Sequence, residues 1–372
     1  MEKREFSTPS FFVDLDILDK NIETMAELCE DNNKELWPMV KTHKSMQISQ
    51  IQAKKGAAGF LVGTVLEAEK LVEAGFKNIA LAYPVVDEKN MSRIIELLKR
   101  ADIILSFDGK KAAEKFDRLL AKTKIKAEYL IIIDSGLHRL GVKPEKAAEL
   151  ARKLKKYDNL ILKGICTHPG QVYGAADMAE VKKAAAEEVE AVEDAVRNLE
   201  KNGFNVEMAA TGSTPTAEFA VESEVITTLR PGNYVFYDNM QVAVGVVPME
   251  RCSLTVMASI ISQPADDLFI LNAGSKCLGL DKGAHGNTNI KGYGVVKGHP
   301  ELLIIGLSEE VAKVKIEDKT ELKVGDKIEI IPNHSCSAAN MTDYLLGCRE
   351  DEVEKIVYID ARGGSGEPPE IN

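Results

Sequence analysis

The chain has 372 residues, 45% hydrophobic and 28% charged, ample for a large buried core and for two domains. Its formal net charge of −11 argues against partnership with nucleic acid or an anionic membrane, since either calls for a basic face. No run approaches a membrane span, MEKREFSTPS lacks a signal-peptide core, and six scattered cysteines without CxxC spacing read as reduced thiols of a cytoplasmic protein.

In chain order, TPSFFVDLD (8–16) is strand-like and precedes the first helical segment. From residue 36 to 235, apolar runs alternate with segments whose apolar residues recur every three or four positions. The runs are LWPMVKT (36–42), GFLVGT (59–64), NIALAY (78–83), DIILSF (102–107), EYLIIIDS (128–135), LKGICTH (162–168), VEMAATGS (206–213) and VITTLRPGNY (225–234). Eight continuous apolar strands with helices between them predict parallel strands buried on both faces, closed as a (β/α)8 TIM-type barrel. An open doubly wound sheet is the alternative; the count of eight favours the barrel. After about residue 245 the pattern becomes short strands joined by Gly, Pro and Asp turns, which predicts a mostly antiparallel β domain. The expected division is a barrel over 16–245 and a β domain over 246–365, with residues 1–15 pairing with the latter. The tail GGSGEPPEIN is expected to be mobile.

In such a barrel the chemistry gathers at the carboxyl ends of the strands. Those ends carry Lys41 and His43, then Asp134, His138 and Arg139, then Thr167 and His168, then Thr211, Gly212, Ser213 and Thr214, then Arg230, Gly232 and Asn233. ATGSTPTAEFA can be an ordinary helix-capping turn, or a phosphate cradle with Gly212 admitting the backbone and hydroxyls donating. RPGNYVFYDN adds a second glycine one strand later. A strand-end lysine beside a phosphate cradle points to pyridoxal phosphate, whose aldehyde needs an amine and whose pyridine nitrogen needs a partner. Cationic neighbours such as Lys44 or His43 would help Lys41 lose its proton.

VKTHK, IDSGLHRLGV, THPGQVY, TGSTP and LRPGNYVFYD, in that order, resemble the fold-type III pyridoxal enzymes typified by alanine racemase. The lysine-histidine-lysine box is similar to that of the D-threonine aldolase and D-serine dehydratase branch. The resemblance implies that Lys41 carries the cofactor and that Thr211, Gly212, Ser213, Thr214, Gly232 and Asn233 hold its phosphate, with Arg139 also at the cofactor. Either Tyr173 or Arg230 would face the pyridine nitrogen. His168 is best placed for proton relay among His138, His168, His285 and His299.

IPNHSCSAANMTDY puts His334 and Cys336 two apart, so that on an extended segment both face one way. A bare HxC is commonly a buried cysteine beside a turn histidine. In the resembling branch the corresponding pair binds a divalent metal, and Cys336 stands where the aldolase pattern carries Asp, as in the dehydratase pattern. Imidazole with thiolate suits Zn²⁺; Mn²⁺ or Mg²⁺ would suit a carboxylate version better. GLDKGAHGNTNIKGYG is expected to form a mobile loop over the site or at a subunit contact.

The expected function is a pyridoxal-phosphate- and metal-dependent lyase on a β-hydroxy-D-amino acid, of the D-serine or D-threonine dehydratase type and working as a homodimer. Retro-aldol cleavage is the first alternative. An amino-acid racemase and a non-catalytic pyridoxal-phosphate carrier are the others.

Overall fold

The structure, a computed structural model, describes residues 1–282, 287 and 289–363. Strand β1 (Ser10–Asp14) leads into helix α1 (Leu15–Asp31), which starts where Asp14 Oδ1 accepts the backbone N–H groups of Asp16 and Ile17. The barrel strands follow: β2 (Glu35–Leu36), β3 (Phe60–Val62), β4 (Asn78–Leu81), β5 (Asp102–Phe107), β6 (Ala127–Ile132), β7 (Leu160–Cys166), β8 (Met208–Thr211) and β9 (Thr228–Leu229). All pair in parallel, in the order β2-β9-β8-β7-β6-β5-β4-β3. The ring closes where Ala58 N donates to Leu36 O and Leu61 N to Pro38 O, both at 2.9 Å. The interior is packed with Trp37, Leu61, Ile104, Leu130, Ile132 and Met208. Gly59 is needed there, because a Cβ at that position would lie 2.8 Å from the Trp37 ring.

Helices α2 (Met46–Lys54), α3 (Val65–Glu73), α4 (Glu88–Leu98), α5 (Lys110–Leu120), α6 (Ala147–Leu154), α7 (Met178–Lys201) and α8 (Ala217–Ala220) intervene between the strands. Ser45, Thr64, Asp87 and Asp177 cap four of them with side-chain oxygens. Among the described residues no helix is long and apolar enough to cross a membrane.

Two apolar runs shrink on folding. Of 36–42 only Leu36 lies in β2, and Val40–Thr42 turn as a 3-10 helix. Of 225–234 only Thr228–Leu229 pair as a strand. Pro38 and Pro231 lack the N–H a ladder requires, so both segments leave the sheet early. Lys41 therefore sits on a tight turn rather than on a strand.

The rest of the chain builds a second sheet. Helix α9 (Asn239–Ala243) precedes β10 (Leu254–Ala265), β11 (Leu268–Leu271), α10 (Ser275–Leu278), β12 (Val295–Val296), β13 (Leu302–Leu307), β14 (Ala312–Ile316) and β15 (Lys327–Ile331). Helix α11 (Ser335–Ala339), β16 (Tyr344–Arg349) and β17 (Glu352–Tyr358) complete it. The order is β11-β14-β13-β12-β15-β10-β1-β16-β17, and a further β10–β11 pairing closes the first six strands into an antiparallel barrel. β1 lies between β10, antiparallel, and β16, parallel. The hairpin β16–β17 carries a weak strand signature, since EVEKIVY buries few side chains and shows little alternation.

Lys44 and Glu67 are buried together, 2.7 Å apart, with 8% and 0% of their side chains exposed. Glu67 also accepts from Gly63 N, and Lys44 donates to the Gly363 carbonyl, both close to the turn carrying Lys41. Replacing one partner strands the other's charge in the interior. Lys44→Met is expected to cost roughly 3–5 kcal/mol, with partial recovery in Lys44→Met/Glu67→Leu, as read by chemical denaturation. Equal stability of wild type and the single variant would contradict this. The remainder of the tail expected to be mobile, residues 364–372, lies outside the described residues.

Candidate active site

A cavity of about 390 Å³ opens at the carboxyl ends of the barrel strands and is walled on one side by α11 of the second sheet. Lys41, Arg139, His168, Tyr173, Gly212, Ser213, Arg230, Gly232, Asn233, His334 and Cys336 all line it. Residues spread over nearly 300 positions thus meet at one site.

The turn at Val40–Thr42 directs Lys41 into the cavity, and Asn340 Nδ2 holds its carbonyl at 3.4 Å. The cationic neighbours expected to assist it are not there. His43 is fully buried, accepts from Ser45 N through Nδ1, and burial pulls its pKa down to about 3, so it is neutral. Lys44 is cancelled by Glu67. Positive charge at this end of the barrel comes instead from Arg230 and Arg139. Arg139 is exposed at the rim, its guanidinium 5.7 Å from the Tyr83 ring centroid.

Arg230 Nη2 donates to the Thr167 carbonyl at 2.6 Å, while its buried Nε and Nη1 have no hydrogen-bond partner among the described residues. Two unanswered donors on a buried cation await an acceptor. Tyr173 lies elsewhere: its hydroxyl takes a hydrogen bond from the Thr214 backbone, and burial raises its pKa strongly, so it stays protonated. His168 is held well below its usual pKa by burial and by Lys41, Arg139 and Arg230, and its ring bonds to the Gly212 backbone. It is a neutral imidazole 6.2 Å from the Tyr173 ring. Of the other histidines, His138 is exposed and paired with Asp134 at 2.8 Å, and His299 with Glu301 at 3.0 Å. His285, in the loop expected over the site, lies outside the described residues.

The phosphate cradle differs from its expected form. The Thr211 hydroxyl and the Gly212 N–H both donate to Glu188, so neither is directed at a ligand. Ser213 N donates to Thr216 Oγ1, and Thr214 Oγ1 accepts from Tyr234 N at 3.0 Å. The following helix α8 has four residues, too few to add a useful dipole. Asn233 turns its amide away, donating to Asp238 Oδ2 at 2.7 Å and Ser335 Oγ at 3.0 Å. Gly212 and Ser213 still line the cavity, as do Gly232 and Asn233 at the start of a 3-10 turn. With Lys41 and the free donors of Arg230, this set suits pyridoxal phosphate. Gly212 has φ +114° and a Cβ there would meet Arg230 N at 3.3 Å, so a side chain at this position distorts the backbone whatever is bound.

His334 and Cys336 do not lie on an extended segment. His334 caps and Cys336 is the second residue of the five-residue helix α11, whose first turn nevertheless brings imidazole and thiol into hydrogen-bond contact. Asp238, buried and capping α9, fastens this helix by accepting from Ser335 N at 2.9 Å. Burial opposes ionisation of Cys336, but the His334 charge and hydrogen bond outweigh it and hold the thiol below its ordinary value. The same pair keeps His334 well above its own value in spite of burial. Cys336 Sγ is 3.3 Å from Thr42 Oγ1, beside Lys41, and the other five cysteines are buried. Among the described residues no set of three or more His, Cys, Asp or Glu is arranged for a metal. An ion here would have two protein donors, nitrogen and sulfur, and would draw its remaining ligands from substrate or water.

Sequence reasoning passed over Glu188, Glu67, Asp238 and Asp281, whose Oδ2 is 3.4 Å from His334 Nδ1. Each acquires its role from contacts distant in sequence. For Glu188, in MAEVKKAAAEEVEAVEDAVRNLEKNG, the surrounding glutamates hide the one that points inward.

A lysine at the end of a parallel barrel, an arginine with donors to spare and a β domain across the mouth are the marks of a barrel-type pyridoxal-phosphate enzyme. The chain belongs to the alanine racemase N-terminal domain family, which matches residues 13–240, and a putative serine dehydratase domain matches residues 253–348. It is 28% identical to D-serine dehydratase of Dictyostelium discoideum over 93% of this chain and 95% of that one. Among solved structures, D-threonine aldolase from Filomicrobium marinum superposes with TM-score 0.90 at 27% identity, covering 96% of each chain. D-threo-3-hydroxyaspartate dehydratase from Delftia sp. HT23 does so with TM-score 0.90 at 27% identity, over 98% of this chain and 99% of that one. A cysteine-to-alanine variant of the latter has been solved in a metal-free form.

Proposed function

We propose that this protein is a pyridoxal-phosphate- and metal-dependent lyase that eliminates water from a β-hydroxy-D-amino acid, yielding ammonia and a keto acid. The observation that carries the reading is the meeting of Lys41 with the His334–Cys336 pair in one cavity. Bound pyridoxal phosphate supplies an electron sink for charge developing at Cα. Lys41 is the amine that would hold the cofactor and would take the α-proton from substrate. Arg230, whose Nε and Nη1 have no partner among the described residues, would face the ring nitrogen, and Tyr173, tied to the Thr214 backbone, would belong to the phosphate end. His168, a neutral ring beside Tyr173, stays uncharged only if it gives up one proton as it takes another, which makes it a relay rather than a base. A divalent ion on His334 and Cys336, with zinc favoured by the sulfur ligand, would supply a Lewis acid for the β-hydroxyl.

A racemase would use Lys41 without needing the thiol–imidazole pair in the same cavity. Retro-aldol cleavage uses every one of these groups, and the sulfur ligand in place of a carboxylate favours elimination. The purified protein should be incubated with D-serine, D-threonine and D-alanine, and ammonia, keto acid, aldehyde and chirality followed. Ammonia and keto acid from the hydroxy acids are expected, with D-alanine inert. Glycine with aldehyde would move the reading to an aldolase; racemised alanine without lyase products would refute it.

The cradle can be probed at Ser213, whose hydroxyl contacts Thr216 at 3.0 Å at the cavity wall. Ser213→Ala is expected to weaken cofactor binding about tenfold, the worth of one hydrogen bond to a charged group. Fluorescence titration with pyridoxal phosphate measures this. Unchanged affinity would place the phosphate away from Ser213.

A further inference from the structure

Glu188 lies in the middle of α7 and is the side chain that organises the start of the 211–216 loop. It is 0% exposed. Its Oε1 accepts the Thr211 hydroxyl and, at 2.8 Å, the Gly212 N–H. The Thr216 hydroxyl, which also receives Ser213 N, approaches the same carboxyl. Gly212 and Ser213 form cavity wall, so Glu188 sits one layer behind the surface on which a phosphate would rest. A buried carboxylate there and a phosphate dianion would repel across a buried layer, where like charges are poorly screened. The charged group facing Glu188 is Arg230, and the titratable group is Tyr173, which stays protonated. One guanidinium cannot neutralise a carboxylate and a dianion together.

We propose that Glu188 is a positioning residue of the phosphate cradle that acts as a neutral carboxylic acid, fixing Thr211 and Gly212 by accepting their hydrogen bonds and keeping its proton whenever the phosphate is bound. The inference rests on the pyridoxal-phosphate reading of the cavity. Burial raises the Glu188 pKa to about 7, against the hydrogen bonds from Thr211, Thr216 and Gly212 and the charge of Arg230. The group is therefore protonated below about 7 and ionises as pH rises. Phosphate binding, which favours the protonated form, is strongest at the acid end and is lost toward alkaline pH. Glutamine keeps an accepting oxygen for Thr211 and Gly212 but cannot acquire the charge.

The test is the affinity of the apoprotein for pyridoxal phosphate relative to pyridoxal, which lacks the phosphate, between pH 7 and 9. The ratio cancels the contribution of the aldehyde end, which both compounds share. In the wild type the preference for the phosphorylated compound should fall by more than about tenfold over this range, because the protonated fraction of a group with a pKa of about 7 drops from about one half at pH 7 to about one hundredth at pH 9. In Glu188→Gln the preference should stay flat and remain high at pH 9. Equal pH dependence in wild type and Glu188→Gln, or none in the wild type, would overturn the role. Because the variant can fail to fold, proton uptake is measured separately on the wild type at pH 8 with an indicator dye. Uptake on adding pyridoxal phosphate but not pyridoxal supports the proposal, and no uptake refutes it. Failure to bind either compound at any pH would overturn the functional reading itself, whereas tight pH-independent binding overturns only the part given to Glu188.

Discussion

Lys41→Ala is expected to abolish turnover, by roughly 10³-fold or more, while the protein remains folded. A positioned acid–base group alone contributes about 10²–10⁴-fold, and in the proposed function Lys41 also holds the cofactor. The side chain lines a cavity rather than the packed core, so truncation leaves no void among apolar neighbours. The turn persists because backbone bonds hold it: His43 N and Lys44 N both donate to the Val40 carbonyl, at 3.1 and 2.8 Å. Borohydride reduction of the wild-type holoenzyme should fix the mass of the cofactor to the peptide containing Lys41. The structure gives reason to discount the other candidates. Lys44 is buried against Glu67, and Lys276 is exposed and paired with Glu310 at 2.6 Å. Mass found on either of them, or an unaltered reaction rate in Lys41→Ala, would sink the assignment. Circular dichroism of the variant separates loss of chemistry from loss of fold.

Chelation and Cys336→Ala should both stop β-elimination without expelling the cofactor. The two functions are carried by different walls of the cavity: Lys41 and Arg230 belong to the barrel, His334 and Cys336 to α11 at the edge of the second sheet. On the proposed function, removing the sulfur would leave the lysine that takes the α-proton untouched but deprive the β-hydroxyl of its electrophile. Cofactor absorbance should therefore survive in Cys336→Ala, metal analysis should show zinc lost, and the α-hydrogen of a D-amino acid should still exchange with deuterium in solvent. Cys336→Asp replaces soft sulfur with hard oxygen and should turn preference toward Mn²⁺. A metal-free protein that eliminates at full rate would refute the metal's part in the reaction and leave the role of Lys41 standing. Activity of Cys336→Ala equal to wild type, with metal content unchanged, would move the metal away from this pair.

How much of this was readable beforehand follows from what periodicity encodes. DIILSF at 102–107 coincides with β5 residue for residue, because a parallel strand buried on both faces needs an unbroken apolar run. The runs at 36–42 and 225–234 overstated their strands, since apolar composition does not reveal where Pro38 and Pro231 end hydrogen bonding. The rim residues were legible from their addresses at strand ends, and the cavity does bring Lys41, His168, Tyr173, Ser213, Arg230, His334 and Cys336 together.

What the amino-acid order determined by itself, then, was the succession of strands and helices, the barrel it closes into and the residue types delivered to its rim, because these depend on local period and short-range chemistry. The charge states and directions of those residues were decided only in three dimensions. His43 reads as a cation and is a buried neutral ring; Lys44 reads as its companion and is spent on Glu67, 23 positions further on. Thr211 and Gly212 read as phosphate donors, yet they donate to Glu188 from α7. Asn233 reads likewise and instead binds Asp238 and Ser335, joining barrel to β domain. Ionisation and hydrogen bonding depend on loss of water and on which partner arrives from a distant segment, and neither quantity exists until the chain has packed.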